Sequence, residues 1–189
     1  MGTEPPSIAT LVLPGLDGRI GIAPCPSGVR LDEDIDRLAA WGATLVATLI
    51  ETAEMRRLGV ERIAEVCEAR GIDWIHLPIA DFSVPDGAWH ARWPLVARDM
   101  GDRLRRGQAI LVHCRAGLGR SGMVAAMLAV ELGLDPSCAI ASVRAVRPGA
   151  IETAGQEALV RGWPRTDEPA RAPPWPHREP PGIAPSGGA

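Results

Sequence analysis

The sequence predicts an α/β layer structure built on a mainly parallel sheet, and two observations carry that reading. Between Ile8 and Trp163, short apolar runs alternate with longer stretches of helical periodicity, the order that lays parallel strands side by side with helices as crossovers. The chain has 189 residues, 46% hydrophobic and 23% charged, which is the size of one domain whose core folds without disulfide or metal staples.

In chain order, Ile8–Leu13 and Ile20–Ala23 read as buried strands, followed by a helix over Asp32–Trp41 that Gly42 closes. A strand over Thr44–Leu49 leads to a helix over Glu61–Arg70, closed by Gly71, and then to a strand over Trp74–Leu77. A long helix spans Trp89–Arg106, with Trp89 and Trp93 on one face, and after Gly107 the run Ala109–His113 is a further strand. The helix Ser121–Leu132 carries no charge before Glu131, which places it at the centre, and Gly133 ends it. Helices over Pro136–Val146 and Thr153–Trp163 follow, with Pro136 in a first turn behind Asp135. Each of the four glycines stands where a left-handed closing residue is wanted. Residues 1–164 form the expected domain. From Arg165 to Ala189 the chain is dense in Pro and Gly with almost no aliphatic residues, and we read 165–189 as a disordered tail, with a polyproline-type ligand as the alternative.

Composition removes several chemistries. There is no Lys, Asn or Tyr, and all 20 basic residues are Arg. A Lys Schiff base, a phosphate loop ending in Gly-Lys-Ser/Thr and N-glycosylation are therefore excluded. A net charge of −3 gives no overall attraction to nucleic acid or to an anionic membrane. No apolar run approaches the roughly 20 residues of a membrane span, and MGTEPPSIAT lacks the build of a secretory signal. The expectation is a cytoplasmic monomer with no nucleic-acid or membrane partner. Cys25, Cys67, Cys114 and Cys138 lie far apart with no Cys-x-x-Cys pair, which in a cytosolic chain favours free thiols over a disulfide framework or a zinc site.

One segment concentrates the chemistry. The strand ending at His113 runs into Cys114, then Arg115, Ala116, Gly117, Leu118 and Gly119, then Arg120, Ser121 and the apolar helix. A loop of that length between strand and helix turns successive backbone N–H groups inward, a nest for a tetrahedral oxyanion, and the helix N-terminus adds positive potential there. The glycines permit close backbone approach. The planar fork of Arg120 suits two phosphate oxygens. The same field favours the Cys114 thiolate, an in-line nucleophile beneath a bound phosphate.

This stretch, His-Cys, five residues, Arg, Ser, resembles the signature of the cysteine-dependent protein tyrosine phosphatases. His76-Leu-Pro-Ile-Ala-Asp81-Phe-Ser-Val-Pro-Asp86 and Val146-Arg-Pro-Gly-Ala-Ile-Glu-Thr-Ala-Gly-Gln156 look like the kinase-associated branch of the dual-specificity phosphatases, so that the likeness spans about residues 8–163. The resemblance implies a single central four- or five-stranded sheet flanked by helices, no metal, no cofactor and a cysteinyl-phosphate intermediate. It also implies binding of the phosphoryl group by residues 115–120 and general acid catalysis by Asp81, with Asp86 the rival although Pro85-Asp86-Gly87 is also a helix-start signal. Ser121 would assist thiolate departure or cap the helix, and His113 would support the loop from behind. Gln156 would position water or be a surface helix residue. Arg147 serves equally as a loop brace, Glu152 as a partner for an arginine and His76 as a core or rim histidine. Cys67 would pair with Cys114 under oxidants or, like Cys25 and Cys138, be a small core residue.

The expected substrate is a phosphorylated protein or peptide, phosphotyrosine and by extension phosphoserine or phosphothreonine. Relatives acting on inositol phosphates tend to carry more positive charge inside the loop, and here Arg115 is followed by Leu118 at the middle position. The alternatives are an inositol-phosphate phosphatase and a phosphate-reading module whose catalysis has lapsed.

Overall fold

The computed structural model describes residues 7–164, so the tail from 165 onward lies outside the described residues. The strands are β1 (Ala9–Val12), β2 (Arg19–Ala23), β3 (Ala43–Thr48), β4 (Asp73–His76) and β5 (Ala109–His113). The helices are α1 (Leu31–Trp41), α2 (Thr52–Leu58), α3 (Ile63–Glu68), α4 (Gly87–Arg105), α5 (Gly119–Glu131), α6 (Pro136–Val146) and α7 (Ala154–Arg161). The strands make one sheet in the order β1-β2-β5-β3-β4. β2, β5, β3 and β4 are parallel, and β1 adds an antiparallel edge. The sheet is thus mixed but mainly parallel, as expected. Every expected strand is present, whereas α2 is a helix that sequence periodicity did not mark.

Local chemistry explains the boundaries. Gly42, Gly71, Gly107 and Gly133 all take positive φ behind their helical segments. Asp135 caps α6 by accepting from the Ser137 N–H at 2.8 Å, with Pro136 in the first turn. Glu51 and Glu54 form a reciprocal capping box that starts α2. Helix α5 is buried from Gly119 through Val130, and it touches β2, β5, α4, α6 and α7, while α1 and α3 pack on each other and against β3 and β4. Trp89 and Trp93 are buried on α4 with their rings stacked 4.7 Å apart.

In a parallel sheet all strands point their C-terminal ends one way, and ligand sites form in the crevice beyond those ends. Here β2 delivers Cys25, β3 leads into Glu54 on α2, β4 leads into Asp81, and β5 delivers Cys114. Four separate stretches of sequence therefore converge on one edge.

Candidate active site

The loop 114–120 owes its shape to tethers on its outer side. The Arg115 carbonyl accepts from the Cys25 N–H at 3.1 Å, and the Leu118 carbonyl accepts from Gly122 N–H at 3.0 Å and Ile151 N–H at 3.4 Å. Arg147 holds the two carbonyls between them: its Nη2 donates to Ala116 O at 3.1 Å and its Nε to Gly117 O at 2.9 Å. A trans peptide points its C=O and the following N–H in opposite directions, so pinning carbonyls 115 to 118 outward turns amides 116 to 119 toward the Cys114 side. Gly117 has φ +70, and a Cβ there would lie 2.4 Å from the Ala23 carbonyl carbon; only glycine fits. At Gly119 a Cβ would meet Glu152 Oε2 at 2.5 Å. Cys114 is buried, and its Sγ lies 3.4 Å from Ser121 Oγ.

Arg120 is buried and its fork is clamped. Its Nη1 donates to Glu54 Oε2 at 2.6 Å and to Ile79 O at 3.0 Å, and its Nη2 donates to Glu54 Oε1 at 3.1 Å and pairs with Asp81 Oδ1 at 2.9 Å. Burial pushes the Glu54 carboxyl up, but the hydrogen bond and charge of Arg120, with the Glu51 N–H, hold it below the usual carboxylate range. Cys114, Arg115, Ala116, Arg120, Asp81 and Gln156 line a cavity of about 230 Å³, with Phe82 and Glu152 at the same opening. The larger groove, about 490 Å³ between β4 and α4, is lined by no cysteine.

Residues 21–160 match the family described as Swiss Army Knife protein, DSP-PTPase phosphatase domain. The chain belongs to this family. Cyclin-dependent kinase inhibitor 3 of Rattus norvegicus is 31% identical over 132 residues, covering 67% of this chain and 60% of that protein. Protein tyrosine phosphatase type IVA 3 of Mus musculus is 31% identical over 130 residues, covering 68% and 69%. The match thus spans less than two thirds of the first relative. Among solved structures, kinase associated phosphatase with its catalytic-site cysteine changed to serine superposes with a TM-score of 0.74 at 28% identity, over 84% of this chain and 94% of that one. Tk-PTP in its active form gives 0.63 at 29% identity, over 81% and 94%.

Within this DSP-PTPase domain the structure separates the two acid candidates. Asp81 sits at the cavity on Arg120, whereas the Asp86 carboxylate accepts from Trp89 N–H at 2.8 Å as the N-cap of α4. Phe82, beside Asp81, is 64% exposed and left-handed at φ +55, a costly conformation for a bulky residue. Ile151, which reaches back to Leu118 O, is left-handed as well. Gln156 is not a surface residue: it is fully buried, its Oε1 accepts from Glu152 N–H at 3.0 Å, and its Nε2 donates to Ser83 O at 3.3 Å. It thereby ties α7 to the loop carrying Asp81. His113 is fully buried behind the loop, and His76 is half-buried with Nε2 2.9 Å from Ile50 O.

Cys67 and Cys25 pack in or against the core, as the core reading expected, and Cys138 does not. Cys67 is buried in α3, where burial pushes its thiol up to about 12, offset only by Arg70. The cysteine that feels Cys114 is Cys25, whose thiol is raised to about 12 by burial first and by Cys114 second. Cys138, expected in the core, is exposed on α6. Glu54 escaped the sequence reading altogether, since it pairs with Arg120 across 66 positions and sits on α2, seven residues long and too short to show an apolar stripe.

Proposed function

We propose that the protein is a cysteine-dependent protein-tyrosine and dual-specificity phosphatase that hydrolyses phosphotyrosine, and phosphoserine or phosphothreonine as well, through a cysteinyl-phosphate intermediate. The observation that carries this is the Cys114 thiol at the floor of a nest of inward amides, with the Arg120 fork at its mouth. The phosphate would replace the Asp81 carboxylate on Arg120 Nη2. The Cys114 thiolate sulfur then attacks phosphorus as the ester P–O bond breaks, and Asp81, which takes up a proton from solvent once it is displaced from Arg120, delivers that proton to the departing oxygen, a phenolate of pKa about 10. In the second step Asp81 takes a proton from water as that water attacks phosphorus. The S–P bond breaks, and the Ser121 hydroxyl donates to the leaving thiolate. Gln156 holds the acid loop beside the cavity, one amide hydrogen remaining for that water. The mechanism draws on no metal or cofactor.

Two features support a singly phosphorylated substrate. Leu118 places no charge inside the loop, and the Glu152 carboxylate beside Gly119 repels a second phosphate. No helix among the described residues is long and apolar enough to cross a membrane. The free thiols at Cys25, Cys67, Cys114 and Cys138 suit a reducing compartment, and we place the protein in the cytoplasm as a monomer acting on phosphorylated proteins or peptides. A panel of phosphotyrosine, phosphoserine and phosphothreonine peptides with phosphoinositides tests this reading. Phosphotyrosine peptides should show the highest kcat/KM, and Cys114→Ser should abolish turnover while retaining vanadate binding. An inositol phosphate as the best substrate would overturn the substrate class, and binding without turnover in the unaltered protein would establish the lapsed module instead.

A further inference from the structure

A buried hydrogen-bond chain runs from the sheet edge to the back of the nucleophile loop. Trp74 Nε1 on β4 donates to Thr48 Oγ1 on β3 at 2.8 Å, and Thr48 Oγ1 lies 2.8 Å from His113 Nε2 on β5. Thr48 and His113 are both fully buried, so each polar atom must be accounted for.

Proton counting gives the chain a direction. An indole N–H only donates, so the Thr48 oxygen is an acceptor from Trp74. Its own O–H is then left to donate, and the His113 Nε2 lone pair is the acceptor in reach. Burial holds the imidazole well below its ordinary value, at about 4, so at neutral pH the ring carries one proton. With Nε2 accepting, that proton sits on Nδ1. Nδ1 finds no complete hydrogen bond among the described residues, but it lies beside the Cys114 backbone, which favours a proton there.

Resting on the assignment of Cys114 as the nucleophile, we infer that Thr48 and Trp74 are positioning residues for catalysis: they fix His113 as the Nδ1–H tautomer and so aim an N–H dipole at the backbone of Cys114. In the other tautomer a nitrogen lone pair would face the Cys114 carbonyl and repel it, displacing the residue that anchors the nest. Arg120 and His76 are the other charged or titratable groups whose fields act on the ring, and both oppose its protonation; the tautomer is thus left to Thr48.

The test does not need turnover. Alkylation of Cys114 by iodoacetamide, followed by mass spectrometry of its peptide as a function of pH, reads the thiolate directly, and long-range proton–nitrogen correlation of the His113 ring reads the tautomer. The unaltered protein should show Nδ1 protonated. Thr48→Val should move the onset of Cys114 reactivity upward by about one pH unit, Thr48→Ser should restore it, and Trp74→Phe should shift it in the same direction but less. An Nε2–H ring in the unaltered protein overturns the inference, as does an alkylation profile that Thr48→Val and Trp74→Phe leave unmoved. So does a Thr48→Ser protein shifted as far as Thr48→Val. Should Thr48→Val fail to fold, Thr48→Ser, Trp74→Phe and the ring spectrum still decide. A protein that behaves as stated yet hydrolyses no phosphate ester would refute the phosphatase reading while leaving the tautomer relay standing.

Discussion

Removing the Arg147 side chain isolates the contribution of the outer tethers to catalysis. Arg147→Ala deletes two charge-assisted bonds to the loop, at 2.9 Å to Gly117 O and 3.1 Å to Ala116 O, with an exposed third to Ser7 Oγ at 3.2 Å, and Arg147 does not line the cavity. Bonds of this kind contribute ~1.5–3 kcal/mol when well formed. Arg147 is only half-buried, so the lower end applies and solvent screening takes part of it, and the pair should order the loop by about 2–3 kcal/mol, at most twice the lower value. Without it the Ala116 and Gly117 carbonyls are free to rotate inward, taking the amides of Gly117 and Leu118 out of the nest. The expected loss in kcat/KM on an aryl phosphate is ~30- to 150-fold, with vanadate binding weakened in parallel because the amides contact the ligand in both states. Arg147→Lys, which reaches one carbonyl at a time, should fall between. The assay is steady-state kcat/KM beside vanadate Ki, with thermal melting to show that the domain persists. A kcat/KM within about twofold of the unaltered protein, or a loss of rate with vanadate Ki unmoved, would refute the brace.

Three further expectations follow from the same geometry. Glu54→Gln removes the buried carboxylate of the clamp and leaves Arg120 paired with the more exposed Asp81, which should cost about 3 kcal/mol of stability, the low end for a broken buried pair, and lower phosphate affinity; an unchanged urea midpoint with normal kinetics would contradict the clamp. Asp81→Asn should slow an ester with a basic leaving group ~10²–10⁴-fold and steepen the dependence of kcat/KM on leaving-group pKa, whereas Asp86→Asn should act on stability through α4; reversed slopes would exchange the two roles. His113 ordinarily titrates at 6.5 and is held at about 4 in the fold, so the unfolded chain takes up a proton that the folded one refuses as pH falls through that window. The stability present above pH 6.5 should decline by up to about 3 kcal/mol on reaching pH 4, and urea midpoints of a His113→Gln protein should lack that decline.

What was legible in the sequence follows from how local each signal is. The five strands announce themselves as apolar runs between breakers, and the nucleophile loop is a contiguous stretch whose glycines, arginine and flanking elements agree. Asp86 was readable as a cap because Pro-Asp-Gly is a local start signal. Helix α2 was missed because TAEMRRL has two separated apolar residues besides alanine and no core stripe; the Glu51/Glu54 spacing ahead of Gly59 was the available sign. Glu54 went with it, since the pairing with Arg120 depends on β3 and β5 being neighbours, which no local pattern states. The proximity of Cys25 to Cys114 depends likewise on the register Ala23↔His113. For Gln156 the sequence leaves water positioning and a surface helix position both open, because the turn at Ile151, which folds α7 back over the loop and buries Gln156, requires a left-handed isoleucine that sequence patterns do not suggest.

The central claim is that Cys114 carries the phosphoryl group between its two transfers. It is tested most directly by acid-quenching the protein during turnover of a phosphotyrosine peptide and locating the added phosphoryl group by mass spectrometry. The account predicts it on the peptide containing Cys114, with none on Cys25, Cys67 or Cys138. It also predicts more of it in Asp81→Asn assayed with an ester whose leaving group departs unaided, because hydrolysis of the intermediate then lacks its base. Continued hydrolysis by Cys114→Ser, or phosphate released with no phosphoryl group ever found on Cys114, would contradict it.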